Sequence, residues 1–211
     1  MRTPIWLALT ICGICVCQEQ PGAQESVPPA PVPQAVVTAH APVHASLQRI
    51  ARKSALWRQQ MDAVQRLGRQ VFVLGPEEVI VADTADGHGR GRFEEGLIAA
   101  AAPVADQNEN VHRVLVVIDF DLLEEAHRRQ GSLQGEIEAD LDALIVHEIY
   151  GHALPYLLAG HLSERCADPA PGQRAEESCA IRRENEVRKE LGLIRRTSYG
   201  IAALHLARGR F

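Results

Sequence analysis

The chain has 211 residues, 46% of them hydrophobic, 23% charged and 4% aromatic, which suits one globular domain with an appendage and allows a sizeable core. Its net charge is −5 with the basic residues dispersed, so the electrostatic footprint of a nucleic-acid binder is missing. No apolar run reaches the ~18 residues that span a bilayer, and no heptad or fixed-period repeat is present, which sets aside transmembrane, coiled-coil and solenoid readings.

Arg2 precedes an apolar stretch over residues 5–16, followed at once by Gln18, Glu19 and Gln20. This is the shape of a secretory signal, with Cys15 and Cys17 as the small residues before the cleavage site. Residues 1–17 are therefore expected to be a signal peptide that sends the chain to the periplasm or outside the cell. Leu9-Thr10-Ile11-Cys12 is similar to a lipobox, so a lipid anchor is the alternative. Without residues 1–17 only Cys166 and Cys179 remain. In an exported chain such a pair is expected to form one disulfide, worth roughly 3 kcal/mol in loop entropy.

Residues 18–45 hold six of the twelve prolines and show no regular period, as expected of an extended tether. From Ser46 a helical spacing begins, with Leu47, Ile50, Ala51, Leu56, Trp57, Met61, Val64 and Leu67 on one face until Gly68. Residues 70–74 and 79–82 read as short strands joined through Gly75-Pro76, and residues 113–120 are the strongest strand signal. The glycine-rich stretch 83–91 fits neither a phosphate loop nor calcium-loop spacing and reads as an exposed loop. Helices are predicted over 122–129, 137–158 and 175–191, with Asp168-Pro169-Ala170-Pro171-Gly172 as an irregular connection. The expected fold of residues 46–211 is α+β, a small sheet with a helical C-terminal half.

The informative stretch is His147-Glu148-Ile149-Tyr150-Gly151-His152. Imidazole nitrogens are the commonest zinc ligands, and a Glu beside the first can take a proton from a zinc-activated water. Ligands four residues apart share a helix face, but these are five apart, about 140° in a regular helix. Pro155 offers no N–H to the carbonyl of Gly151 and its ring crowds that carbonyl, while Gly151 tolerates unusual dihedrals. A wider turn of about 4.4 residues would return the second His to roughly 50° from the first. With 9 His and 18 Glu in the chain, such a spacing arises by chance roughly 0.03 times, so it needs further support.

That support comes in Glu176-Glu177-Ser178-Cys179-Ala180 and the residues after it. Glu177, Ala180, Ile181, Glu184 and Arg188 form one helical stripe. A catalytic zinc takes three protein ligands and keeps one position open. Glu177 is therefore the expected third ligand, with Glu184 or His161 as substitutes. Glu184 is otherwise expected behind the ligands or against a substrate amine. Small Ala180 would let the two helices approach closely, giving a zincin-like two-helix metal site.

His147-Glu148-Ile149-Tyr150-Gly151-His152 resembles the HExxGH signature of the dipeptidyl peptidase III family of zinc peptidases. Glu176-Glu177-Ser178-Cys179-Ala180 is similar to that family's second motif, whose second Glu completes the zinc site. The likeness covers residues 147–184 of a much shorter chain. Residues 140–200 also resemble metallopeptidase domains of bacterial effectors and polymorphic toxins, in which an EExxA segment precedes an Asn-containing, Arg-rich stretch. These resemblances imply a gluzincin-type, zinc-dependent peptidase acting on a peptide or protein substrate, with Glu148 as general base. Tyr150, Tyr199 and His205 are candidates for the oxyanion donor, while Arg182, Arg183, Arg195 and Arg196 are expected to be solvated. The Cys166–Cys179 bridge would tie the loop after the first zinc helix to the second. The alternative function is a non-catalytic, zinc-stabilised binding domain on a flexible tether.

Overall fold

The computed structural model describes residues 34–78, 98–161 and 175–197, with backbone alone at 175 and 176. The expected signal peptide, the strand at 79–82, the loop at 83–91, Cys166, Tyr199 and His205 lie outside the described residues.

The helical spacing in the first half produces two helices rather than one. α1 (Ala41–Lys53) buries Val43, Leu47, Ile50 and Ala51, and α2 (Ala55–Arg66) buries Trp57, Met61 and Val64. The apolar period runs through both, but Ser54 between them is extended, at φ −110° and ψ 112°. Its hydroxyl accepts from the Trp57 N–H at 3.0 Å and donates to Glu190 at 2.5 Å, which caps α2 at a cost to helix continuity that its own side chain offsets. α1 starts at Ala41 rather than Ser46, with Pro42 in the first turn where a missing N–H is harmless. A short strand, β1 (Val36–Val37), precedes it. The tether expected over 18–45 thus ends in folded chain.

β2 (Gln70–Leu74) and β4 (Val111–Ile118) are the expected Val-rich strands. Between them in sequence lies β3 (Ala99–Ala105), which sequence patterning did not predict. Its run of alanines and Pro103 lack the β-branched signature of a strand. The sheet order is β1-β2-β4-β3, with β1 and β4 parallel to β2 and β3 antiparallel to β4. Pro103 is tolerated because β3 is the edge strand among the described residues. The β3–β4 turn is tied by Asp106, whose carboxylate accepts from the backbone N–H groups of Asn108 and Asn110.

α3 (Phe120–Gln130) follows β4 directly, capped by Asp119 accepting from the Leu122 N–H at 2.8 Å. The helix predicted over 137–158 is a single rod of changing pitch. It runs as α4 (Gln134–Ile145), a π-helical segment (Val146–Ala153) and α5 (Leu154–Ala159). α6 (Ala175–Leu191) has the predicted bounds. The π segment packs against α6 and against β3 and β4. The molecule is therefore mixed α/β, a small four-stranded sheet with helices around it, and no helix among the described residues is long and apolar enough to cross a membrane.

Candidate metal centre

A π-helical turn is the device that aligns histidines five residues apart. The segment Val146–Ala153 closes with the Leu154 N–H bonded to the Ile149 carbonyl, five residues back instead of four. His147 Nε2 and His152 Nε2 consequently stand 3.3 Å apart, with the rings edge to face at 89°. In a regular helix they would point about 140° apart.

α6 brings the third group. Gly151 and Ala180 lie close together where the two elements pack: a Cβ on Gly151 would sit 3.0 Å from the Ala180 Cβ and 3.1 Å from its carbonyl oxygen. One turn earlier on α6, Glu177 Oε2 lies 3.3 Å from His152 Nε2 and 3.6 Å from His147 Nε2. Ligand atoms held at 2.0–2.1 Å around a tetrahedral zinc stand about 3.3 Å from one another. The triad has those edges. Its chemistry also fits a cation: His147 uses Nδ1–H to donate to Glu184 at 2.9 Å, which leaves Nε2 to face His152 and Glu177 with a proton or a metal ion between them. Glu177 Oε2 is buried and has no hydrogen-bond partner among the described residues. Three electron-rich atoms thus meet at one point, and a metal ion bound by His147, His152 and Glu177 would satisfy them together.

Behind the triad lies a charged network. Glu184, fully buried, accepts from His147 Nδ1 at 2.9 Å, from Arg188 at 2.7 Å and from Arg196 at 3.3 Å. Burial works against ionisation of Glu184, yet the His147 hydrogen bond and the two guanidinium groups lower its pKa. Burial likewise works against a charged His147, but Glu177 and Glu184, helped by Glu148, outweigh it and raise its pKa to about 9. Burial also opposes ionisation of Glu177, and the two imidazoles prevail, lowering its pKa to about 2. The site therefore attracts positive charge, carried by a proton on His147 when no metal competes. Glu148 is buried beside the triad, and burial raises its pKa, the direction that makes a carboxylate a better proton acceptor.

Several expected positions fall elsewhere. The Tyr150 ring stacks on Trp57 at 6.4 Å between centroids, and burial followed by the charges of Glu186 and Glu190 pushes its pKa to about 12. His161, exposed past the end of α5, forms an isolated bridge with Asn110 and stays outside the triad. Arg182 and Arg195 are exposed, as expected. Arg196, expected in solvent, is buried against Glu184 because Asn185 pins its backbone through both N–H and carbonyl. Arg183, also expected in solvent, is half-buried and donates twice to the Gly151 carbonyl. Cys179 is buried on α6, and its expected partner Cys166 lies outside the described residues. Sequence reasoning missed Arg188 as a partner of Glu184, although the four-residue spacing between them carried that signal. Nothing local in the sequence announces Arg196, whose place depends on the chain folding back after Gly192. No protein-family model, curated protein or solved structure matches this chain.

Proposed function

We propose that the chain is a zinc-dependent peptidase in which His147, His152 and Glu177 hold the metal and Glu148 is the general base. The observation that carries the reading is the convergence of His147 Nε2, His152 Nε2 and Glu177 Oε2 at 3.3 to 3.6 Å from one another, close to the edges of a tetrahedral zinc site. Zinc supplies Lewis acidity there, both to a water and to a peptide carbonyl. Glu148 takes the water's proton and returns it to the leaving amine, a role suited to a buried carboxylate of raised pKa. Glu184 fixes the His147 tautomer, and its salt bridges to Arg188 and Arg196 hold the carboxylate in place. The gluzincin likeness, export to the periplasm or beyond, and the Cys166–Cys179 bridge belong to the same proposal.

The deciding experiment uses Glu148→Gln beside the unaltered protein. One zinc per chain in both, with hydrolysis of a peptide library present only in the unaltered protein and reduced at least 10²-fold by the substitution, is the expected outcome. Equal zinc and no hydrolysis by either protein would favour the zinc-stabilised binding domain. Substoichiometric zinc after reconstitution would sink both.

A further inference from the structure

The π segment leaves one backbone group needing explanation. In a regular helix the Gly151 carbonyl would accept from the N–H of residue 155, but residue 155 is proline, which has no N–H and whose ring pushes against that carbonyl. A displaced helix carbonyl next to a packed interface needs another donor. Arg183 of α6 supplies it. Its Nε and Nη2 donate to Gly151 O at 2.9 and 2.7 Å, and it lies one turn beyond Ala180, the residue that Gly151 touches.

We propose that Arg183 is a positioning residue, whose guanidinium clamps the Gly151 carbonyl to α6 and so holds the wide turn that sets His152 opposite His147. The inference rests on the metal-site reading above. Its logic is one of register. A helix has either four or five residues between bonded partners, and only the five-residue form brings Nε2 of both histidines to 3.3 Å. A change of register moves the Gly151 carbonyl, and the two charge-assisted bonds that Arg183 makes to it are made in the five-residue form, which weights the choice toward that form. Apparent metal affinity scales with the fraction of molecules in the competent register, so a residue that never touches the ion sets how tightly it is held.

The sign of the effect separates positioning from simple charge. Arg183 is a cation near a cation site, so electrostatics alone predicts that neutralising it tightens zinc binding. Positioning predicts the reverse. The test compares Arg183→Gln, Arg183→Lys and His152→Ala in the full chain, with zinc dissociation constants from chelator competition and the visible absorption of the Co²⁺-loaded proteins. Arg183→Gln is expected to weaken zinc at least tenfold and to lower the cobalt band intensity as His152 leaves the ligand set. Arg183→Lys, which keeps the charge but cannot grip the carbonyl with two N–H groups in one plane, is expected to fall between. Should Arg183→Gln fail to fold, Arg183→Lys decides: an intermediate affinity supports the proposal, and an unchanged affinity and cobalt spectrum overturn it. Unchanged or tighter zinc in a folded Arg183→Gln protein also overturns it while leaving the metal site intact. Unaltered zinc affinity in His152→Ala would instead remove the metal-site reading and this inference with it.

Discussion

Glu184 is the charged centre of the network behind the triad. Its carboxylate is shared among His147, Arg188 and Arg196, all of them buried. Glu184→Ala would strand two guanidinium groups in the interior, at a cost of about 3–5 kcal/mol. Urea unfolding of the metal-free protein measures this, and a loss below 1 kcal/mol would show that the network is solvated. The shifted groups also set a pH dependence. The His147 pKa rises from 6.5 to about 9, so its contribution to stability is complete below 6.5 and is lost as pH climbs through 9. The Glu177 pKa falls from 4.5 to about 2, so its contribution is complete above 4.5 and is lost as pH drops through 2. Thermal midpoints in excess chelator should therefore be highest between pH 4.5 and 6.5 as far as this pair is concerned. Zinc must displace the His147 proton, so its affinity should rise about tenfold per unit from pH 7 to 8. A flat profile would mean that His147 is not a ligand. That His147, His152 and Glu177 come together, with Glu184 behind them, was legible because a ligand set is restricted in residue type and spacing. The stacking of Tyr150 on Trp57 was not legible, because an aromatic between two histidines has no period of its own to say which way it faces.

Among elements, the π segment and α6 act as one unit joined at Gly151 and Ala180. A methyl at position 151 would meet the Ala180 Cβ at 3.0 Å, its carbonyl oxygen at 3.1 Å and its Cα at 3.2 Å. Two of those three atoms are backbone, so the helices must part rather than a side chain turn aside. Gly151→Ala is expected to cost about 1–3 kcal/mol and to loosen zinc by carrying Glu177 away from the histidines. Ala180→Gly on the same background should recover only part, because the backbone contacts persist. Full recovery would place the whole clash in the Cβ pair. The wide turn itself was readable from Gly151 and Pro155, since a proline disables a specific hydrogen bond at a computable position. β3 was not readable. Its alanines carry no pattern, and its strand state comes from pairing with β4, a long-range property that no local window contains.

At the scale of the whole molecule, the site ties together parts of the chain that are far apart in sequence. α1 joins α4 through Asp142, which accepts from Ser46 at 2.5 Å and from Arg49 at 2.7 Å, and Ser54 joins α2 to α6 through Glu190. A metal bridging the π segment and α6 would add a further cross-link to this frame, present only in the folded state. Zinc at about a thousand times its dissociation constant should add about 4 kcal/mol, which for a chain of this size raises the thermal midpoint by roughly 10 °C. Calorimetry with and without chelator would show it, and equal midpoints would mean that the ion does not bind the native state preferentially. The mixed sheet-and-helix architecture was accessible from the sequence because strand and helix periods are local. The fold-back after Gly192, which buries Arg196, was not, because its contacts span two segments with no shared pattern.

Trp57 is fully buried, its indole N–H lacks a hydrogen-bond partner among the described residues, and its ring lies on Tyr150 in the middle of the π segment. The other tryptophan is Trp6. A chain beginning at residue 18 would therefore carry a single indole fluorophore, seated against the turn that presents both histidines. Its emission is a dye-free optical gauge of that turn, able to follow metal titration, register change and unfolding from one native position.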